Sequence, residues 1–231
     1  MIKNLVKATA LVGLLVGSVQ ASEVEVKIVN NTGYSNFTPL LVAAHPSTST
    51  LFTVGEAASV SLQMMAEGGN TAGLETDLSA LSANVVANPA GGLLAPGINA
   101  TATLTTDTAN DSLSIVAMIL PTNDGFIALN NWKIPTTPGE YTVNLNAYDA
   151  GTEANDEIIN GAGAPGMPGI PADPSGNGGT GATGMMTTIE GFVHIHRGVL
   201  GDSNATGGKS DLDSIKHRWL NPVATAIITV K

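Results

Sequence analysis

The chain has 231 residues, 43% of them hydrophobic and none of them cysteine, which suits one larger domain with a filled core and no disulfide. A formal charge of −10 with only 9 Lys and Arg leaves no clustered basic surface for phosphate contacts, so nucleic acid is excluded as a partner. An acidic chain attracts divalent cations, although exported proteins also carry excess negative charge simply for solubility.

Lys3 and Lys7 precede an apolar run from Ala8 to Val16, followed by small residues and Val19-Gln20-Ala21. This predicts a secretory signal peptide over residues 1–21, cut after Ala21, and hence a secreted or periplasmic protein. The apolar run is shorter than the roughly 20 residues that cross a bilayer, so the chain is expected not to be membrane-spanning. Cleavage would take the charge from −10 to −12, with 7 basic residues against 19 acidic. Residues 22–231 read as a single domain, and with no cysteine present its core, with a metal as the one further brace open to it, must hold it together.

Val24, Val26 and Ile28 alternate with Glu25 and Lys27, the period of a half-buried strand, and Asn30-Asn31-Thr32-Gly33 ends it. From Glu56 the period turns helical, with Ala57, Val60 and Met64 on one face and Gly68-Gly69 as a stop. Met64-Met65 read as filler under this helix rather than as a soft-metal site. Leu74, Leu78 and Leu81 repeat the pattern in a second short helix. Both helices are expected to cover one edge or end of a sheet.

A Pro/Gly-rich link, Asn88 to Gly97, leads into β texture at Ala100 to Thr106. Ser112 to Leu120 is apolar on both faces, as in a strand between two layers. Phe126 to Trp132 follows a turn, and then Tyr141, Val143, Leu145 and Ala147 alternate with polar neighbours in a half-buried strand. Residues 160–184 are mostly Gly, Pro, Ala and Ser without apolar period, which predicts a long flexible loop. Ile189 to Arg197 and Val223 to Val230 are the last predicted strands. Many short strands and two short helices predict a mainly β fold, an antiparallel β-sandwich.

The strongest chemical signal is Tyr148-Asp149-Ala150-Gly151-Thr152-Glu153-Ala154-Asn155, two carboxylates four positions apart around a glycine just past a strand. If Ser112–Leu120, Phe126–Trp132 and Tyr141–Tyr148 run up, down and up as neighbours, this loop and Pro121-Thr122-Asn123-Asp124-Gly125 emerge at one end, starting about 10 Å apart. Asp124, Asp149 and Glu153 then converge on one calcium ion, which takes about six to eight oxygens at roughly 2.3–2.6 Å. The same tracts are also ordinary turn sequences, in which aspartate caps its own backbone. No nucleophile elbow or substrate cleft accompanies them, so no catalytic residue is expected.

A second candidate is the predicted Ile189–Arg197 strand, where Glu190, Phe192, His194 and His196 share a face. An H-x-H pair on a strand presents both imidazoles on one side and binds zinc or copper given a third ligand. Asp211, Asp213 or His217 could supply it. Otherwise that segment is a solvated loop or short helix docked by Trp219.

Several tracts together resemble the spondin domain found in F-spondin and the mindins. They are Phe37-Thr38-Pro39-Leu40-Leu41-Val42-Ala43-Ala44-His45, Gly55-Glu56-Ala57-Ala58 and Met64-Met65-Ala66-Glu67-Gly68-Gly69-Asn70-Thr71. Met118-Ile119-Leu120-Pro121-Thr122-Asn123-Asp124-Gly125-Phe126 is similar to the family's Met-x-x-Pro-Ser-Pro-Asp-Trp-Phe, and Tyr148 to Glu153 to its aromatic-Asp-Ala-Gly-Thr-Asp. The resemblance runs in order from about Val24 to Lys231. It implies an extracellular C2-like β-sandwich with one calcium on Asp124, Asp149 and Glu153, and binding of an extracellular protein or glycan rather than turnover. Thr122-Asn123 stands for Ser-Pro, Gly125 for Trp and Glu153 for Asp, and the cysteines are missing, which leaves calcium affinity open. The implied function is an exported calcium-binding adhesion or recognition module. The alternative is a secreted transition-metal protein or metalloenzyme using His194 and His196.

Overall fold

In the first strand, β1 (Ser22–Asn30), valine and isoleucine at every second position bury one face completely while Glu25 and Lys27 stay at the surface. The computed structural model describes residues 22–231, so the signal peptide expected over residues 1–21 lies outside the described residues. The remaining elements are β2 (Asn36–Phe37), β3 (Leu41–His45), α1 (Val60–Gly68), α2 (Ala72–Ala80), β4 (Asn84–Ala87), β5 (Asn99–Thr106), β6 (Ser112–Leu120), β7 (Gly125–Lys133), β8 (Gly139–Asp149), β9 (His194–Ile195) and β10 (Ala224–Val230).

All ten strands pair antiparallel in one sheet of order β4-β3-β6-β7-β8-β10-β1-β5, with β2 on β6 and β9 on β8. The sheet curls until its two ends meet. There the side chain of Asn84 in β4 donates to the Thr105 carbonyl in β5, and that of Asn110 to the Ser82 carbonyl. The predicted mainly β class with two short helices is therefore what forms, as a nearly closed barrel. Near-closure leaves few strand edges unpaired, which protects the sheet from edge-to-edge association.

Inside, Val24, Val26, Ile28, Leu113, Ile115, Ile127, Leu145, Ile228 and their neighbours make the main core. A second core lies on the outer face of β3, β6 and β7, where Leu41, Val116, Met118, Phe126 and Ala128 meet Leu62, Met65, Leu74 and Leu78 of the helices. This is why β6 is buried at all nine positions: one face lines the interior and the other lies under the helices. The helices thus cover a face of the sheet, where an edge or end was expected.

The helical faces also differ from expectation. Ser59 caps α1 by accepting the Leu62 N–H, and Gly69 closes it at φ 70°, so the helix begins four residues after Glu56. Its buried residues are Leu62, Met65, Ala66 and Glu67, whereas Val60 is 70% exposed. Leu81 falls beyond the end of α2 and is exposed too. In a helix this short the apolar period fits more than one face, and the sheet beneath selects among them. Strand β4 also went unread in the sequence, since Val85-Val86 between Asn84 and Ala87 is too short to show an alternation. The predicted strand at Ile189–Arg197 shrinks to two residues, leaving Ile189 and Phe192 exposed.

Residues 160–184 contain no helix or strand beyond an isolated bridge. Even so, Ile170 is fully buried with Val199 and Leu212 in a small third core, partly covered by Trp219. Buried carboxylates fasten this region. Asp211 accepts N–H groups from Ile159, Thr180 and Ala182, and Glu157 those of Leu200 and Gly201. Burial alone would raise the Asp211 carboxyl, but the donors of Thr180 and Ile159 hold it below its ordinary range. Asp211 is thus a buried fastening point, where a solvated loop was expected.

Candidate metal centre

Strands β6, β7 and β8 are neighbours, and Gly125 at the start of β7 pairs with Asp149 at the end of β8. The β6–β7 turn and the β8 exit therefore share one tip of the barrel, where the Asp124 carbonyl accepts the Ala150 N–H at 3.2 Å. Side chains reinforce that link. Asp124 Oδ2 accepts the backbone N–H groups of Thr152 (2.7 Å) and Glu153 (3.1 Å), tying the two loops together.

Asp149 Oδ1 accepts the Gly151 N–H at 2.8 Å, and its Oδ2 accepts from the Asn155 amide at 2.7 Å. Glu153 is turned toward the long loop, its Oε2 accepting from Gly169 N–H at 2.9 Å and from the Asn123 amide at 3.4 Å. All three expected residues are buried. Among the described residues, Asp124 Oδ1 and Glu153 Oε1 are buried oxygens with no hydrogen-bond partner. Asp124, Asp149 and Glu153 share the tip, but they do not bring one oxygen each within 4.8 Å of one another.

That arrangement applies instead to Asp149, Glu190 and His194. Residues Asp149 and His194 face each other in register across β8 and β9, with His194 Nε2 3.6 Å from Asp149 Oδ1. Glu190 holds Arg197 through Oε1 at 3.0 Å and leaves Oε2 buried without a partner. The sequence paired His194 with His196 as ligands, named Glu190 only as a neighbour on the same face, and sought the third ligand at Asp211, Asp213 or His217. Those three lie elsewhere: Asp211 is taken up by backbone donors, and His217 faces Asp173 at 3.4 Å. No local spacing links Asp149 to His194, because only strand pairing brings them together.

His196, paired with His194 in the sequence reading, has a different role. Its Nδ1 accepts the Gly198 N–H at 2.9 Å, so in the neutral ring Nε2 carries the proton and has no lone pair to offer a metal. Its ring packs on Trp219 with centroids 4.9 Å apart.

Electrostatics at the tip follow from burial. Removal from water, then the charge of Asp149, pushes the Asp124 carboxyl up to about 8. Burial likewise pushes Glu153 up to about 7, against the Gly169 N–H that favours its charged form. Burial lowers His196 to about 4 despite nearby Asp149.

Folding therefore has a defined pH dependence in the metal-free protein. Each of these carboxyls binds its proton more tightly when folded, so its contribution to stability is whole below its ordinary value near 4, falls as pH rises, and is lost above the folded values of about 7 and about 8. The lowered His196 contributes stability that is whole above its ordinary value of about 6.5, so it does not oppose the trend there. A lower Tm at pH 8 than at pH 6.5 in chelator is expected, with a flatter slope in Asp124→Asn. Equal values in the wild type would mean Asp124 is not held protonated.

The Spondin_N family matches residues 30–158, more than half of the chain, and the chain belongs to this family. The matched span includes Asp124, Asp149 and Glu153 and ends before Glu190 and His194. No curated protein matches the chain.

Proposed function

We propose that the chain is an exported spondin-type module, with residues 22–231 as one domain, that holds calcium at the barrel tip and uses the surrounding surface for recognition. Asp124 and Asp149 would supply carboxylate oxygens, and Glu153 a third by turning its unpartnered Oε1 inward as the ion binds, because in the metal-free chain the three stand too far apart to share one ion. Recognition would be of an extracellular protein or glycan, without catalysis, as is usual for this family. Secretion rests on the leader pattern of residues 1–21. No helix among the described residues is long and apolar enough to cross a membrane.

The observation that carries this reading is the pair of buried, unpartnered carboxylate oxygens, Asp124 Oδ1 and Glu153 Oε1. Burying an oxygen with no donor is costly, and a hard cation is the partner that offsets the cost for several carboxylates at once. Ile189, Phe192 and Ile195, exposed by 56%, 43% and 47%, follow in the segment that packs beside this tip and give a partner an apolar foothold.

The test is thermal unfolding of the chelator-treated protein with and without calcium. A ligand at 100-fold over its Kd stabilises by about 2.7 kcal/mol, which raises Tm by roughly 5–10 °C for a domain of this size. Asp124→Asn keeps an acceptor for the Thr152 N–H and should lose most of the rise. A wild-type Tm indifferent to millimolar calcium would end the calcium reading.

A further inference from the structure

We infer that Asp149, Glu190 and His194 form a separate binding site for a borderline transition-metal ion of the zinc class. This goes beyond the calcium reading and shares only Asp149 with it.

The argument starts from hydrogen positions. His194 Nδ1 lies 2.9 Å from the Ile195 carbonyl, which has no proton to give, so Nδ1 is the donor and carries the hydrogen. In the neutral ring Nε2 is then a bare lone pair. That lone pair faces Asp149 Oδ1 at 3.6 Å and has no hydrogen-bond partner. Two acceptors aimed at each other repel unless a proton or a cation lies between them. Glu190 Oε2, also buried and unpartnered, completes a group whose three donor atoms lie within 4.8 Å of one another.

The spacing fits a small ion. Bonds of about 2.0–2.2 Å to imidazole nitrogen and carboxylate oxygen, arranged tetrahedrally, set donors about 3.4 Å apart. The His194–Asp149 separation of 3.6 Å is close to such an edge. One nitrogen and two carboxylates suit zinc, whereas calcium prefers oxygen alone and a larger shell. The surrounding contacts resemble those that orient metal ligands: a backbone carbonyl on the far side of His194, the Gly151 N–H and Asn155 amide on Asp149, and Arg197 on Glu190. A fourth position is left for water or for a donor group from a partner. His196 takes no part, since its Nε2 bears the proton.

The experiment uses the full chain stripped with chelator, then titrated separately with zinc and with calcium by calorimetry. Wild-type protein should bind one zinc, and cobalt in its place should give the strong visible absorption of a low-symmetry, nitrogen-ligated site. His194→Gln and Glu190→Gln should each weaken zinc binding by tenfold or more while leaving any calcium response intact, and Asp124→Asn should leave zinc binding intact. Histidine nitrogen NMR of the wild type provides a readout that needs no variant: zinc should shift the Nε2 of His194 and not that of His196. The inference is overturned if zinc does not bind, if it binds equally to His194→Gln, or if NMR shows a protonated His194 ring unchanged by zinc. Loss of the calcium response in Asp124→Asn alone tests the other site.

Discussion

Replacing Phe126 with alanine is expected to destabilise the protein by about 3–5 kcal/mol, the largest effect of any single side chain near the tip. Phe126 is fully buried on the outer face of β7, directly opposite Tyr148 in β8. Its ring stacks on Tyr148 with centroids 5.7 Å apart and meets Phe52 edge-on at 5.2 Å. Removing it leaves a cavity that the backbone cannot collapse to fill, because the main core lies on the other side of the sheet and the helices cover this one. For about 2–4 °C per kcal/mol in a domain of this size, Tm should fall by roughly 6–20 °C. The position is two residues from Asp124, so the same substitution should weaken calcium binding by loosening the turn that aims its carboxylate. A fall under a few degrees would show that the aromatic cluster is not what fixes this end of the sheet.

Gly151→Ala is expected to be nearly as damaging, through the backbone. Gly151 has φ 67°, a region that costs an alanine roughly 1–2 kcal/mol. A Cβ there would also come within 2.3 Å of the Phe192 carbonyl oxygen and 2.6 Å of its nitrogen, so one of the two chains must move. That contact and the Gly191 N–H donated to the Gly151 carbonyl dock the 190–198 segment on the acidic loop. The variant should lower Tm by several degrees and remove zinc binding, because His194 and Glu190 would be displaced from Asp149. Retention of wild-type zinc affinity would show that the segment docks by other means. The glycine in the Asp149-Ala150-Gly151 tract is thus required by close packing as much as by the turn.

The two substitutions probe parts of the molecule that differ in how far the sequence revealed them. Strands β6, β7 and β8 were readable almost to the residue, because alternation and the doubly apolar stretch Ser112–Leu120 are local patterns that burial enforces. From their up-down-up order followed the meeting of the Asp124 and Asp149 turns, and Gly125 does pair with Asp149. The helical faces were misread, since nine-residue helices carry too few apolar positions to fix a face, and the outer surface of β6 and β7 decided it. The last third of the chain was least legible. Ahead of the final strand its residues do not repeat with any period, and its order comes from buried carboxylates such as Asp211 and Glu157 accepting N–H groups from distant loops.

What the sequence by itself determined is the class: an antiparallel β fold of the spondin family, with acidic turns brought to one tip. Periodicity, turn residues and motif order all act over a few positions, so they survive being read in one dimension. Which acceptor faces which donor was decided only in three dimensions. Pairing β9 with β8 puts His194 against Asp149, and the tautomer of each histidine follows from the backbone group beside it. Those relations depend on strand register and loop docking across long stretches of chain, and register is settled by which side chains the assembled core can bury.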